Sequence, residues 1–420
     1  MVVGGIEDMN VFGGSVYLDV MDLVEHRGLD AHRFSNLLMK QKAVALPCED
    51  PVTFGVNAAK PIIDSLKPAE VDRIELLITC SESGIDFGKS LSTYIHDYLG
   101  LNRNCRAFEL KQACYSGSAG LQMALNFIFS QTSPGAMALV VATDISRFIV
   151  EEGGNALSQE WSYAEPTTGA GAAAMLISEN PHVYQADRGA NGYYTYEVMD
   201  TCRPTPDSEG GNADLSLLSY LDCCENAFLE YRKRVEAAEY GSSFNYLAFH
   251  TPFGGMVKGA HRTMMRKLAK ASPQQIDEDF RRRVLPGLEF CQRVGNSMGA
   301  TVFFSLASTI CNGNYDAPKR IGCFSYGSGC CSEFYSGVVT KRGAERLARH
   351  EIQSRLDARY RLTLEEYERL LRDGTLVRFG TRNIELDTEN MPVLRKGCSG
   401  QQRLVLKRIK EFHREYEWVG

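Results

Sequence analysis

Residues 109–144 read ELKQACYSGSAGLQMALNFIFSQTSPGAMALVVATD, and this stretch decides the fold class. A cysteine among small residues comes first, and an apolar segment of helical length follows it. A Ser-Pro-Gly turn then leads into the uninterrupted apolar run AMALVVATD. Short apolar runs between turn signals are typical of strands buried on both faces, as in parallel sheets. The stretch therefore predicts a helix that opens at Cys114 and a buried strand over residues 136–144.

The same alternation continues on both sides of this stretch. Upstream, IELLITC at residues 74–80 predicts a strand and SLSTYIHDYL a helix, and downstream GAGAAAMLIS at residues 169–178 predicts another strand. The second half repeats the order with the strand NYLAFH, a basic helix, a helix opened by GNSMGATVFFSLAS, and the strands RIGCFSYG and CCSEFYSGVV. Such alternation favours an α/β layered fold.

A constant spacing indicates that the two halves are duplicates. Cys114 lies 29 residues before Thr143 in the following strand, and Asn296 lies 29 residues before Ser325 in the corresponding strand. One shared spacing is weak evidence, but the repeated order of elements strengthens it.

The segment between the halves has a different composition. Residues 187–216 are rich in Gly, Asp, Pro and Tyr, which is typical of loops. We therefore expect an N-terminal half over residues 1–186 and a C-terminal half over residues 187–420. From about residue 341 the chain becomes charged and amphipathic, which predicts a helical segment with a solvated outer face and no role in chemistry.

The composition excludes several classes of protein. The chain has 420 residues, 44% of them hydrophobic, and 46 Lys and Arg against 52 Asp and Glu give a formal net charge of −6. No global positive field would attract nucleic acid. No apolar run approaches the roughly 18 residues that cross a bilayer, and the first ten residues lack a basic and then apolar leader. The 13 cysteines are scattered without CxxC pairs. We expect a cytoplasmic protein with reduced cysteines, no metal site, and no affinity for nucleic acid or membranes.

Three side chains stand where an α/β fold places working groups. Cys114 begins a helix, where the helix dipole would lower the pKa of the thiol and make it a nucleophile, although a buried inert cysteine is the alternative. His250 and Glu82 each follow a predicted strand, so both are expected at the carboxyl edge of a sheet. A partly desolvated Glu82 could exchange protons with a carbon acid. Each alone is equally typical of an ordinary core or surface residue.

Six motifs together carry a family resemblance: TCSESGID, ACYSGSAG, EPTTGAGAAAM, HTPFGGMVKGAHR, RVGNSMGA and FSYGSG. In this order they resemble the 3-hydroxy-3-methylglutaryl-CoA synthase family of the thiolase superfamily. The likeness spans nearly the whole chain. It implies the duplicated five-layered αβαβα thiolase fold, here with a C-terminal helical extension, and a homodimer.

The resemblance also implies roles for single residues. Cys114 would take an acetyl group as a thioester, and Glu82 would remove a proton from its methyl group. His250 would orient and polarise the β-ketone of a second acyl thioester or exchange its proton, and water would then release the product from Cys114. For the developing oxyanion, the donors would be the N–H of Cys114 and one from the turn Gly327-Ser328-Gly329. Asn296 would hold the acceptor carbonyl or a water, with helix capping as the alternative role.

Two branches of the family share this chemistry. The mevalonate enzymes use acetyl-CoA and acetoacetyl-CoA, whereas the polyketide β-branching enzymes take acyl groups from donor and acceptor acyl carrier proteins. In either case phosphopantetheine arrives with the substrate, and we expect no permanently bound cofactor. The residues of the six motifs resemble those of the β-branching enzymes more closely. The alternatives are the mevalonate enzyme, a β-ketoacyl carrier-protein synthase, which needs no base such as Glu82, and a noncatalytic module that only docks carriers.

Basic residues provide candidate contacts for the carrier. Lys258, Arg262 and Arg266 share one helical face at i, i+4 spacing, and Arg33 and Lys40 are expected at the same entrance. These side chains would meet a phosphate or an acidic carrier helix. A solvated helix face is the alternative.

Two stretches depart from the mevalonate enzymes. Residues 199–204 read MDTCRP where those enzymes have a stretch resembling YDFYKP, so the wall near the acyl group differs. Gly254 and Gly255 replace bulkier residues after His250, which predicts more room at the acceptor entrance.

Overall fold

The computed structural model describes residues 2–146, 164–205, 208–398 and 400–420. The strands are β1 Gly5–Phe12, β2 Val16–Asp19, β3 Gln41–Ala43, β4 Ile74–Cys80, β5 Arg106–Leu110, β6 Met137–Asp144, β7 Gly171–Ser178, β8 Tyr184–Thr195, β9 Thr201–Thr205, β10 Ser208–Gly211, β11 Tyr246–Phe249, β12 Lys319–Gly327, β13 Cys331–Val339, β14 Tyr360–Arg361, β15 Ile384–Glu385, β16 Arg403–Lys410 and β17 His413–Val419. The α-helices are α1 Val20–His26, α2 Ala31–Ser35, α3 Pro51–Asp64, α4 Pro68–Val71, α5 Leu91–Tyr98, α6 Ser116–Ser130, α7 Ala164–Thr167, α8 Ala213–Arg234, α9 Gly254–Leu268, α10 Pro273–Asp279, α11 Glu289–Val294, α12 Thr301–Asn312, α13 Lys341–Ala348, α14 Ile352–Asp357, α15 Leu364–Asp373 and α16 Pro392–Cys398. Within these ranges, no helix has the length and apolar character that crossing a membrane requires.

A large sheet carries both halves of the fold. Its strand order is β11-β12-β13-β8-β1-β7-β6-β4-β5. In the first half β4 runs parallel to β6, and β6 runs antiparallel to β7. In the second half β11 runs parallel to β12, and β12 runs antiparallel to β13. The pairing thus repeats as the sequence predicts, and a short antiparallel contact between β1 and β8 joins the halves.

Alternation along the strands builds five layers. In β6, Leu139 and Val141 join a core with the outer helices α3 and α5, whereas Val140 points to the opposite face, toward α6. The central core holds α6 and α12 between the two halves of the sheet. On the far face, Phe324 of β12 packs with α8 and α9. Because successive strand residues face opposite sides, each half of the sheet is covered on both faces. The structure confirms the predicted αβαβα layering.

The segment predicted as a loop between the halves is largely ordered structure. β8 occupies residues 184–195 and pairs with β13, and β9, β10 and the start of α8 follow it. Gly192 lies so close to α8 that an added Cβ would be 2.0 Å from the amide nitrogen of Tyr231. A glycine is needed at residue 192 because β8 contacts α8 closely there, and not because the chain turns. β8 also begins before the proposed division at residue 187.

The C-terminal segment is partly helical and packs more closely than the sequence predicts. Helices α13 to α16 are followed by the hairpin β16–β17, which packs on α3 and α5. Tyr416 contacts the rings of Tyr94 and Tyr98 at 5.8 and 5.2 Å between centroids. On α15, Tyr367 and Leu370 are buried in the core of the N-terminal half. α15 keeps an exposed outer face and buries its apolar face, as its amphipathic pattern predicts, whereas that helical pattern does not predict the two strands of the hairpin.

Candidate active site

A cavity of about 1060 Å³ opens where strands from both halves end. Glu82 follows β4, His250 follows β11 and Ser328 follows β12, so the carboxyl ends of parallel strands bring them together. The cavity is lined by six of the predicted residues: Glu82, Cys114, His250, Asn296, Ser328 and the basic Arg33. The sequence therefore placed the main side chains at one site.

Cys114 sits in a tight loop before the central helix rather than inside it. α6 begins at Ser116, and the preceding Ala113 adopts a left-handed φ of 44°. Gly327, at the end of β12, approaches this loop so closely that an added Cβ would be 2.5 Å from the amide nitrogen of Tyr115. Gly327 does not line the cavity, but its lack of a side chain lets the turn with Ser328 lie beside Cys114.

The thiol of Cys114 donates to Glu82, with 3.7 Å between Sγ and Oε2. Burial, followed by the negative charges of Glu82 and Asp144, raises the pKa of the Cys114 thiol well above its ordinary value. The prediction of a lowered thiol pKa is wrong because burial and two carboxylates outweigh the effect of the helix terminus. Cys114 is a neutral thiol in this state, and Glu82 is positioned to accept its proton.

Asp144 orders the loop that carries Glu82. This carboxylate, at the end of β6, accepts the backbone N–H groups of Glu82 and Ser83 at 2.9 and 3.0 Å. It also accepts the hydroxyls of Ser81 and Ser83 at 2.9 and 2.8 Å. Arg203 approaches Glu82 at 3.7 Å and donates to the Ser83 hydroxyl at 3.2 Å. Sequence reasoning missed both roles, although an aspartate ending the run AMALVVATD was a usable signal.

His250 is buried and neutral. It is 1% exposed, and its Nδ1 has no hydrogen-bond partner among the described residues. Burial lowers the pKa of His250 to about 3 from its ordinary value of 6.5. The backbone fixes the residue, since its N–H donates to Phe324 at 2.7 Å and its carbonyl accepts from Tyr220 at 2.6 Å. The ring can therefore offer a hydrogen bond to a ligand without bringing a charge.

The geometry of Asn296 is compatible with both roles that the sequence left open. Its Oδ1 accepts the N–H of Met298 and the hydroxyl of Thr301, both at 3.0 Å, which ties down the start of the following helix. With the oxygen engaged, the Nδ2 amino group is the part of the side chain left to serve as a donor in the cavity. Helix anchoring and substrate binding are therefore compatible.

Asp200 holds the turn that contains Ser328. It accepts the Tyr326 hydroxyl at 2.5 Å and the N–H of Gly329 at 3.0 Å. The Ser328 hydroxyl lies 2.5 Å from that of Thr201. Because the Gly329 N–H is already used, the N–H of Ser328 is the better oxyanion donor from this turn. Residues 201–203 line the cavity, so the stretch that departs from the mevalonate enzymes forms part of its wall.

The predicted carrier contacts are spread over a wider surface. Arg33 lines the cavity, whereas Lys40 is paired with Glu289 at 2.7 Å. Lys258, Arg262 and Arg266 share the exposed face of α9, as predicted, but do not line the cavity. Lys258 also lies 3.6 Å from Asp277. Their location fits contact with a carrier protein better than contact with an acyl chain.

The two glycines after His250 do not widen the entrance. An added Cβ on Gly255 would lie 2.3 Å from the carbonyl oxygen of Asn36, and one on Gly254 would lie 2.9 Å from the Cβ of Leu38. The space beside α9 is filled by the loop after α2. The prediction of extra room at this position is wrong, because the missing side chains are replaced by backbone.

Within the described ranges, no group of three or more His, Cys, Asp or Glu side chains has an arrangement that would hold a metal ion. None of the 13 cysteines forms a disulfide in the structure.

Comparison with known proteins identifies the family. The model "Hydroxymethylglutaryl-coenzyme A synthase N terminal" matches residues 3–182, and "Hydroxymethylglutaryl-coenzyme A synthase C terminal" matches residues 261–414. The polyketide biosynthesis 3-hydroxy-3-methylglutaryl-ACP synthase PksG of Bacillus subtilis is 69% identical over 100% of both chains. The hydroxymethylglutaryl-CoA synthase of Enterococcus faecalis is 32% identical, covering 87% of this chain and 90% of the relative.

Solved structures show the same similarity. PksG from Bacillus subtilis superposes with a TM-score of 0.95 at 67% identity, covering 100% of both chains. The HMG synthase of the curacin biosynthetic pathway, solved in complex with holo donor-ACP, gives a TM-score of 0.95 at 64% identity, covering 99% of this chain and 100% of that one. The fold, the motifs and these matches together establish that the chain is an enzyme of the hydroxymethylglutaryl-CoA synthase family.

Proposed function

We propose that the chain is a 3-hydroxy-3-methylglutaryl-acyl-carrier-protein synthase that acts in polyketide β-branching. In reaction type it is an acyltransferase that converts the transferred acyl group to an alkyl group. The observation that carries the proposal is the contact between Cys114 and Glu82, set opposite a neutral His250 in one cavity. The cavity thus brings together a nucleophile, a general base and a hydrogen-bond donor for the acceptor ketone, which are the groups that an aldol-type condensation needs.

The first step loads the acetyl group. The sulfur of Cys114 attacks the acetyl thioester of the donor while Glu82 accepts the thiol proton. The carbon–sulfur bond to the phosphopantetheine then breaks, and its thiol takes up that proton as it leaves. Glu82 is again a carboxylate. The backbone N–H groups of Cys114 and Ser328 are the donors for the oxyanion that forms in this step.

The second step forms the carbon–carbon bond. Glu82 removes a proton from the methyl group of acetyl-Cys114, and the resulting enolate adds to the β-ketone of the acceptor. His250 and the Nδ2 group of Asn296 donate hydrogen bonds to the acceptor, and the new alkoxide takes the proton that Glu82 carries. Water finally hydrolyses the thioester to Cys114, which restores the thiol and leaves a branched carboxylate on the acceptor carrier.

Donor and acceptor acyl carrier proteins are the proposed partners, and phosphopantetheine is the group that enters the cavity. The similarity to PksG, and to an HMG synthase solved with a donor carrier, supports this choice over CoA. Arg33 at the cavity and Lys40, Lys258, Arg262 and Arg266 farther out are the proposed contacts for phosphate and for an acidic carrier surface. No permanently bound cofactor takes part in the proposed reaction.

We also propose a homodimer located in the cytoplasm. β5 forms one edge of the large sheet, and Ala107 and Phe108 on it are exposed. An edge strand with exposed apolar residues invites pairing with another strand, and a second copy of β5 would cover it. The division of the chain into an N-terminal half with Glu82 and Cys114 and a C-terminal half with His250 and Asn296 remains part of this proposal.

Mass spectrometry of the intact enzyme tests the function directly. The purified enzyme is offered an acetyl-loaded carrier protein or acetyl-CoA, and then an acetoacetyl-loaded carrier. Acetylation of Cys114 from the carrier, followed by a 3-hydroxy-3-methylglutaryl carrier product, is the expected result. Efficient turnover of both CoA thioesters with no response to carriers would instead identify a mevalonate-pathway enzyme and exclude the proposed partners.

A further inference from the structure

The backbone of Asn296, and with it the position of its side-chain amide, is held by a short segment of the N-terminal half. The N–H of Asn296 donates to the carbonyl of Thr167 at 2.8 Å, and its carbonyl accepts the N–H of Gly169 at 2.9 Å. Gly169 fits so tightly that an added Cβ would lie 1.9 Å from the carbonyl oxygen of Val294. A displacement of residues 167–169 would therefore move Asn296 with it.

Glu165 fixes this segment from behind the cavity. It is 4% exposed and does not line the cavity. Its carboxylate accepts two hydrogen bonds from Arg27, at 2.9 and 2.8 Å, and one from the Tyr367 hydroxyl at 3.0 Å. Its backbone carbonyl accepts from Lys42 Nζ at 2.5 Å. Arg27 at the end of α1 and Tyr367 on α15 bind the carboxylate, and Lys42 on β3 binds the backbone, so three separate parts of the chain converge on Glu165.

The C-terminal segment also supports Asn296 from the opposite side. The buried Arg359, between α14 and β14, donates to the carbonyl of Arg293 at 2.9 Å and to that of Gly13 at 3.0 Å. Arg293 lies at the end of α11, just before the Gly295 that leads into Asn296. The C-terminal segment thus contacts the surroundings of Asn296 twice. Tyr367 binds Glu165, next to residues 167–169, and Arg359 binds the end of α11, which leads into Asn296.

We propose that Glu165 is a positioning residue for the condensation step, which acts by holding residues 167–169 and through them the amide of Asn296. The C-terminal segment takes part through Tyr367. This inference rests on the proposed function, because it takes Asn296 as a group that binds the acceptor. It concerns only the acceptor side of the cavity, and acetyl loading of Cys114 does not require it.

Glu165→Gln, Glu165→Asp and Tyr367→Phe test the proposal when the two half-reactions are measured separately. Acetyl transfer to Cys114 is followed by intact mass, and condensation is followed in a single turnover of preacetylated enzyme with an acetoacetyl carrier. A misplacement of about 1 Å costs about a hundredfold, so Glu165→Gln should slow condensation by about ten- to a hundredfold. Acetyl transfer should stay close to wild type. Tyr367→Phe removes one donor and should cause a smaller loss, and Glu165→Asp should restore part of the rate.

Asp8→Asn is the matched control. Asp8 is 1% exposed on β1 and also binds the C-terminal segment, through Arg346 at 2.9 Å and His350 at 2.8 Å. It does not line the cavity. A variant that only loosens this segment should leave the ratio of the two rates unchanged. An equal effect of Glu165→Gln on both half-reactions, no effect on either, or the same selective loss in Asp8→Asn would overturn the proposal. If Glu165→Gln does not fold, an unchanged ratio in Tyr367→Phe overturns it.

Asn296→Ala separates this inference from the proposed function. If the wild-type enzyme forms no condensation product, the proposed function itself is wrong. If Asn296→Ala condenses at the wild-type rate, Asn296 does not bind the acceptor and the inference fails. If Asn296→Ala is slow while Glu165→Gln is normal, only the positioning role of Glu165 is wrong.

Discussion

The Glu82–Cys114 cluster and the His250–Asn296 pair differ in charge although the two halves of the molecule share one topology. The side built by the N-terminal half holds Glu82, Asp144 and the cysteine, cross-linked by hydrogen bonds at the ends of β4 and β6. On the side built by the C-terminal half, His250 is buried without charge and Asn296 carries none, although Arg203 of the same half reaches Glu82. Glu82 and Cys114 can exchange protons, whereas His250 and Asn296 are placed to offer hydrogen bonds.

This difference matches the demands of the two substrates. Reaction with the donor requires deprotonation of the Cys114 thiol and then of the methyl group of acetyl-Cys114, and both steps need a carboxylate nearby. The acceptor has only to be polarised, and a neutral donor in a dry pocket does this without a counterion. Duplication supplied the same helix starts on both sides, with Cys114 at one and Asn296 at the other, and their surroundings gave each its role.

The largest effect is expected at the nucleophile. Cys114→Ser should lower acetyl-enzyme turnover by about 10⁴-fold or more, because a neutral hydroxyl beside Glu82 is a far weaker nucleophile than a thiol that can become a thiolate. Intact mass after incubation with an acetyl donor measures the effect. Cys311→Ser, an exposed cysteine outside the cavity, is the control and should be acetylated like wild type. Normal acetylation of Cys114→Ser would refute the assignment.

Glu82→Gln should separate the proton-transfer side from the rest of the site. Condensation by preacetylated enzyme should fall by about 10²- to 10⁴-fold, the range that loss of a general base produces. Exchange of the acetyl methyl protons with deuterated solvent should fall equally. Glu109 also lines the cavity, but its carboxylate binds the N–H of Leu91 at 2.7 Å, so Glu109→Gln should lose much less. If Glu82→Gln formed the carbon–carbon bond normally, a decarboxylative synthase would be the better assignment.

The buried, uncharged His250 predicts that the stability of the protein depends on pH. Since the folded His250 has a pKa of about 3 and the unfolded residue one near 6.5, only the unfolded chain gains this proton as the pH falls through 6.5. Between pH 6.5 and 5 this group should lower the free energy of unfolding by ~1.6 kcal/mol, because the slope rises from half of 1.36 kcal/mol per pH unit at the unfolded pKa toward the full value below it. Chemical denaturation of wild type and His250→Asn at both pH values measures the difference. Parallel losses in the two proteins would contradict a neutral, buried histidine.

Local sequence patterns predicted the layers and the meeting of Glu82, Cys114 and His250, because strand ends fix where side chains emerge. They did not predict the pKa of Cys114, which depends on carboxylates brought close by the fold. The same holds for Gly255, whose small size is explained only by the carbonyl of Asn36 beside it. Glycine in a sequence marks a close approach but does not identify its partner.

Asp144 and Glu165 show the same limit. Both are buried carboxylates whose function lies in what they hold in place, and their partners come from distant parts of the chain. Periodicity shows which residues are buried, yet a hydrogen-bond network needs three-dimensional distances. The described C-terminal hairpin is a further case, because its amphipathic pattern does not say which surface it covers.

The smallest effect is expected outside the cavity, on the exposed face of α9. Arg266→Glu reverses one charge on the exposed face of α9, and it should lower kcat/KM for a carrier-bound substrate about two- to fivefold at low salt, since one exposed ion pair contributes at most about 1 kcal/mol. The loss should shrink as added salt screens the charge. Reaction with a small acetyl thioester should be unchanged, because Arg266 does not line the cavity. Lys410→Glu, an exposed charge on the C-terminal hairpin, provides the control. If Arg266→Glu treated carriers and small thioesters alike, α9 would have no part in docking, and carrier recognition would have to begin at Arg33, where the surface meets the cavity.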